Sequence, residues 1–172
     1  MAKYEVVTIN FMVYENANRF TGMASVTLPN INQKSVPLSG AGIAGEVDVP
    51  ISGQLEPMEV KFSFNAYSAE VARLRSPGRH KIEMHPAVQN EDTVKGAIIV
   101  TAEKHVMTIV PKGLSGATIA PATKRETELT ASVRYWAHYI DGVKIHEIDV
   151  MNHIFIINGV DYGAPVRKAL GL

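Results

Sequence analysis

Hydrophobic and polar residues alternate with a period of two over much of the chain, which is the signature of half-buried strands rather than helices. Along 58–66, Met58, Val60, Phe62, Phe64 and Ala66 alternate with Glu59, Lys61, Ser63 and Asn65. Along 128–139, Leu129, Ala131, Val133, Tyr135, Ala137 and Tyr139 alternate with Glu128, Thr130, Ser132, Arg134, Trp136 and His138. In that reading Trp136 sits on the polar face, as an interface or local packing residue. Asp141-Gly142 then suits a type I′ turn, and the chain resumes over 143–148 to complete a hairpin. Ala24, Val26 and Leu28 mark another strand before Pro29. Segments 9–14 and 20–28 flank the turn-rich Glu15-Asn16-Ala17-Asn18 and predict a second hairpin, and 97–110 reads as a long strand around a polar Glu103-Lys104-His105 centre.

Helix signals are few. Ser68 can cap a short helix through Val71 and Leu74 that stops at Ser76-Pro77-Gly78, and Pro165 suits a first turn leading to Val166, Ala169 and Leu170. The pattern predicts a mainly antiparallel β protein with one or two short helices. Residues 1–172 read as a single domain with two extended arms, at about 30–57 and 111–124. Both arms are long, rich in Gly, Pro and small residues, and yet carry Val36, Leu38, Ile43, Val47, Val49, Ile51, Leu114 and Ile119. Apolar residues on long arms need a surface to cover, and a neighbouring subunit offers one.

Composition narrows the class. Hydrophobic residues make up 46% of the chain and charged residues 20%, which excludes intrinsic disorder. Seventeen basic residues balance 17 acidic ones, which argues against a dedicated nucleic-acid binder and favours association. The absence of cysteine removes disulfides, thiolate metal sites and a cysteine nucleophile. No run approaches the ~20 apolar residues of a membrane span, and Met1-Ala2-Lys3-Tyr4-Glu5 does not open a signal peptide, so cytoplasmic synthesis without membrane anchoring is expected.

The motifs that carry chemistry are incomplete. Gly40-Ala41-Gly42-Ile43-Ala44-Gly45 matches G-x-G-x-x-G, but no helix pattern follows it, so the glycines read as a bend. His146-Glu147 opens H-E-x-x-H, yet Val150 occupies the second ligand position, which leaves exposed histidines as the better reading. Asp149 and His153 lack a serine in a nucleophile elbow. No enzyme, cofactor or metal is expected. Arg73, Arg75, Arg79, His80 and Lys81 form a basic cluster, and Asp141, Glu147, Asp149 and Asp161 an acidic one; opposed patches of this kind suit registry between subunits.

The C-terminal third carries a family resemblance. Tyr135-Trp136, Asp141-Gly142, Glu147-Ile148-Asp149, Asn152, Ile157-Asn158-Gly159-Val160-Asp161 and the ending Arg167-Lys168-Ala169-Leu170-Gly171-Leu172 follow in order. Earlier come Asn10-Phe11 to Phe20-Thr21-Gly22, Ser25-Val26-Thr27-Leu28-Pro29, and Leu55-Glu56-Pro57-Met58-Glu59-Val60-Lys61-Phe62. This ordered set resembles the major tail tube proteins of contractile-tailed phages and the related R-type pyocins. The chain departs from that pattern at Ser39 and Gly42-Ile43, and matches it only in outline over 85–130.

The resemblance implies an antiparallel β-sandwich or barrel-like protomer that closes into a hexameric ring with a continuous inner β-barrel. Rings stack as the inner tube of a contractile tail. The implied partners are further copies of the chain, the sheath, the tape measure protein, and the baseplate and terminator proteins, with DNA as transient cargo. The implied location is the virion, after assembly in the host cytoplasm. Strands at about 33–49, 57–65, 95–110 and 125–140 would line the lumen, which turns Glu59, Lys61, Ser63, Glu126, Glu128, Thr130 and Ser132 toward the channel. A mildly acidic wall would repel duplex DNA, and Lys61 fits it only if a neighbouring carboxylate pairs with it. Val36, Leu38, Ile43, Val47, Val49, Leu114 and Ile119 would make subunit contacts. Two alternatives stay open: the tube of a DNA-free bacteriocin-type particle, and a monomeric β-barrel that binds a small ligand.

Overall fold

The computed structural model describes residues 3–20 and 22–172, the first four of these by their backbone alone. Strands β1 (Lys3–Glu15), β2 (Asn18–Phe20), β3 (Met23–Thr27), β4 (Gln33–Leu38), β5 (Val47–Leu55) and β6 (Met58–Phe64) precede helix α1 (Ala69–Leu74). Then come β7 (His80–Asp92), β8 (Ile98–Leu114), β9 (Thr127–Ile140), β10 (Val143–Asp149), β11 (Ile154–Ile157), β12 (Val160–Asp161) and α2 (Ala164–Leu170). Ten strands form one sheet in the order β12-β11-β10-β9-β8-β7-β1-β2, with β6 on β9 and β3 on β6. Among the described residues, strands β4 and β5 pair only with each other.

The sheet forks at β9. Its first half, up to Val133, pairs with β6 and its second half, from Tyr135, pairs with β10, while β8 runs along the other edge. The fork curls the sheet so that Phe20 and Phe64 meet at 5.6 Å between ring centroids. One core fills the concave side. Met58, Val60, Phe62 and Phe64 alternate into it from β6, and Leu129, Ala131 and Val133 from β9. Val71 and Leu74 of α1 seal it, with the Ser68 hydroxyl accepting the Val71 N–H at the helix start.

Bulges change three expectations. Thr108 opposes Tyr135 but Ile109 opposes Val133, so Arg134 is an extra residue in β9. A one-residue insertion swaps the faces. Trp136 therefore leaves the polar face and joins the core, where it is 5% exposed. A second irregularity falls between Met23 and Ser25, so Met23 and Val26, not Ala24 and Val26, pack inward. The stretch expected as one strand over 20–28 is divided: β2 stays with β1 and β3 crosses to β6. Gly22, at φ +87°, takes the left-handed backbone that this change of direction requires; Thr21 lies outside the described residues.

Both tight turns form where they were expected. Asn16 and Ala17 turn β1 into β2, and Asp141 and Gly142 turn β9 into β10, all four with positive φ. Residues 111–114, assigned from sequence to an arm, complete β8 against Leu129, Thr130 and Ala131.

Candidate functional site and assembly surfaces

The first candidate surface is the arm. The expected single strand over 33–49 is instead two short strands, β4 and β5, joined by the glycine-rich stretch. Gly42 has φ +90° and the Ile43 N–H bonds to the Gly40 carbonyl, so the glycines serve as a bend. Val36 opposes Val49 and Leu38 opposes Val47. Because cross-strand partners share a face, these four and Ile51 form one apolar face, and Ser35, Pro37, Asp48 and Pro50 take the other. Among the described residues this face stays half uncovered: Val36, Leu38, Val47 and Val49 are 43–54% exposed. The arm is tied down at its base, where the Glu56 N–H bonds to the Asn32 carbonyl and Leu55 packs on the core. An isolated two-stranded hairpin is marginal in water, so this one needs a cover.

Of the other residues assigned to contacts, Ile43 is exposed at the hairpin bend and Ile119 is 83% exposed in the connection between β8 and β9. Leu114 is different. It lies opposite Leu129 and is partly buried against its own core, so it belongs to the protomer interior.

The second surface is the polar face of β6 and β9. Glu59 opposes Ser132, Lys61 opposes Thr130 and Ser63 opposes Glu128, so six of the seven residues assigned to the lumen share one patch. Glu126 precedes β9 and is exposed beside Ser63 and Glu128 in a shallow cleft. Lys61 pairs with Glu128 at 3.9 Å, and Lys112, which sequence reading missed, pairs with Glu59 at 2.5 Å. Lys112 sits at a β8 irregularity between Pro111 and Gly113, which alternation alone does not anticipate. The patch is therefore a lattice of matched charges with Glu126 as its surplus.

The charged clusters are largely committed within the protomer. Glu15, 3% exposed, accepts from Arg73 and contacts His80, each at 2.8 Å, and the other His80 ring nitrogen meets the Ser76 carbonyl at 3.0 Å. His80 is thus a buried anchor between β1, β7 and the end of α1. On the acidic side, Asp141 caps the Ala102 N–H and Asp149 accepts from the Met151 and Asn152 N–H groups. A hydrogen bond from Lys144 holds the Glu147 carboxyl below its ordinary range, and one from Arg167 does the same for Asp161. With these carboxylates occupied locally, opposed acidic and basic patches are a poor source of subunit registry. Arg79, Lys81 and Arg134 still face a cleft of about 410 Å³ on the convex side, together with Asp149 and Asn152.

The histidines overturn the expectation of exposed side chains. His105, His138 and His146 are opposed on three adjacent strands, in a row beside Met107, Trp136 and Ile148. His105 is 3% exposed and stacks on His138 with 4.2 Å between centroids. Burial, then the neighbouring imidazoles, push His105 down to about 3 and His146 down to about 4. The hairpin register alone would place Ile145 opposite His138; an irregularity between Lys144 and His146 brings His146 there instead.

Comparison with known proteins fits this geometry. A family model described as phage tail tube protein FII matches residues 7–171. The tail tube protein of Escherichia phage P2 is 25% identical over 165 residues, covering 93% of this chain and 94% of that protein. A chain of the extended sheath-tube complex of an extracellular contractile injection system, PVC, superposes with a TM-score of 0.55 at 12% identity, over 79% of this chain and 92% of that one. A chain of the anti-feeding prophage cap, which terminates its tube, gives 0.54 at 12% identity, over 81% and 93%. These last two are likenesses of fold.

Proposed function

The chain belongs to the phage tail tube protein FII family, and from that premise we propose that it closes into hexameric rings that stack as the inner tube of a contractile tail. In this reading the tube is a structural, non-catalytic conduit for DNA in the virion, assembled in the host cytoplasm. Its partners are the sheath around it, the tape measure protein within it, and the baseplate and terminator proteins at its ends. No membrane anchor takes part.

The observation that carries the reading is the β4–β5 arm, an amphipathic hairpin whose apolar face stays about half exposed among the described residues. A head-to-tail contact of arm on neighbour is heterologous, and such contacts close as rings or continue as filaments. Magnitudes favour closure. Burying the remaining exposed half of each arm side chain is worth about 1 kcal/mol, so the five together give on the order of 5 kcal/mol gross. Association costs about 4–15 kcal/mol, so one arm contact makes a weak dimer and only a closed, stacked assembly with several contacts per subunit is stable. Val36, Leu38, Ile43, Val47, Val49 and Ile119 are the contact residues in this account, without Leu114.

The β6–β9 polar patch faces the lumen. Glu59, Lys61, Ser63, Glu128, Thr130 and Ser132 cancel most of their charge in pairs, and Glu126 leaves the wall mildly acidic. DNA carries a phosphate charge about every 1.7 Å along its axis, so a wall with no spare cations lets it slide. Electron microscopy of the purified, concentrated chain tests the proposal. Rings or hollow tubes support it; a monodisperse monomer at every concentration refutes it.

A further inference from the structure

We propose that Glu103, His105 and His138 bind one zinc ion per protomer, on the core side of the β8–β9 ladder. One ligand atom from each lies within 4.8 Å of the others. Oε2 of Glu103 is 3.6 Å from Nε2 of His105 and 3.5 Å from Nε2 of His138. Zinc bonds of ~2.0–2.2 Å in a tetrahedral site put neighbouring ligand atoms about 3.3–3.5 Å apart, so these are separations for an ion between the groups. They are too long for hydrogen bonds.

A second observation is independent of that spacing. Nε2 of His138 is buried and has no hydrogen-bond partner, although it faces the Glu103 carboxylate. Leaving a buried polar atom unpaired is unfavourable, and a cation bridging His138 to Glu103 gives it a partner. A cleft of about 160 Å³ beside Phe11, Met84 and Pro86 opens onto Glu103 and His105 and gives the ion a path in. Two imidazoles and a carboxylate are a donor set suited to zinc, not to magnesium or calcium.

Loading makes two local demands. His105 and His138 are stacked, with 12° between their planes, and must splay to aim both nitrogens at one point. The Trp136 indole N–H donates to Nδ1 of His105 at 3.3 Å. Ligation through Nε2 moves the His105 proton to Nδ1, so the indole must release that bond. Trp136 is the chain's one tryptophan, so its fluorescence reports the event.

The test uses the full chain stripped with a chelator. Titration with Co²⁺ should give visible d–d bands that saturate at one ion per chain and vanish on adding Zn²⁺. Zn²⁺ alone should change Trp136 emission, and at a hundredfold excess over its Kd should raise Tm by roughly 5–10 °C. Glu103→Gln and His138→Gln should each weaken binding at least tenfold, while His85→Gln, altering an exposed histidine paired with Glu83, should not. Glu103→Gln keeps the test open if His138→Gln fails to fold. The absence of saturable binding, or binding that survives both substitutions, overturns the proposal.

Discussion

Strand β6 and the β4–β5 arm share a two-residue alternation of apolar side chains and have opposite fates. In β6 the apolar residues are at most 2% exposed, because β9, β3 and α1 surround them. In the arm the same alternation builds an equally regular face, and it stays about half exposed. Alternation specifies that a face will be buried; it does not specify by which molecule. Two hydrogen bonds between Asn32 and Glu56 close the base of the arm, and the arm forms a sheet of its own.

The comparison is broken most forcefully from the core side. Phe62→Ala, at a site with no solvent exposure, should cost about 3–5 kcal/mol and lower Tm by roughly 10 °C in calorimetry of the protomer. The paired change Val36→Asp with Val49→Asp should leave protomer stability within about 0.5 kcal/mol and abolish rings in microscopy. If the arm variant instead melts early, the arm is part of the protomer fold and the contrast fails. Next in size, Glu15→Gln should cost about 2 kcal/mol in denaturant titration, because it strips the buried acceptor from Arg73 and His80.

A pH effect follows from the histidine row. Its folded-state values, about 3 for His105 and about 4 for His146, lie below the ordinary 6.5, so the unfolded chain takes up these protons first. Stability of metal-free protein should therefore be full above about pH 6.5 and fall as pH drops toward 4, by up to about 1.4 kcal/mol per unit for each residue. Replacing His146 by Gln should flatten that limb in a series of melts. Smallest in stability, Glu126→Lys with Glu128→Lys should move Tm little, yet slow DNA release from assembled particles; unchanged release would remove the lumen assignment.

Much of this is legible in the amino-acid sequence. The β6 stripe, the β9 stripe as far as Val133, the Asp141-Gly142 turn, the Ser68 cap and the Pro165 helix follow from local chemistry and appear where expected. Two features escaped through bulges. Alternation counts residues, and a bulge inserts one. Arg134 moved Trp136 into the core, and the irregularity before His146 set three histidines side by side. No local residue pattern marks either site, because bulges are settled by the partner strand. Glu15, His80 and Lys112 were likewise hidden: their partners lie 65 and 53 residues away in sequence, beyond any window of periodicity.

Amide hydrogen exchange over residues 33–55 shows whether a second copy covers the arm. In dilute monomer these amides should exchange fast while those of β6 and β9 stay protected. In the assembled tube the arm should be slowed by orders of magnitude, to the level of the core strands. An arm already protected in the monomer, or still exchanging freely in the tube, would contradict the account.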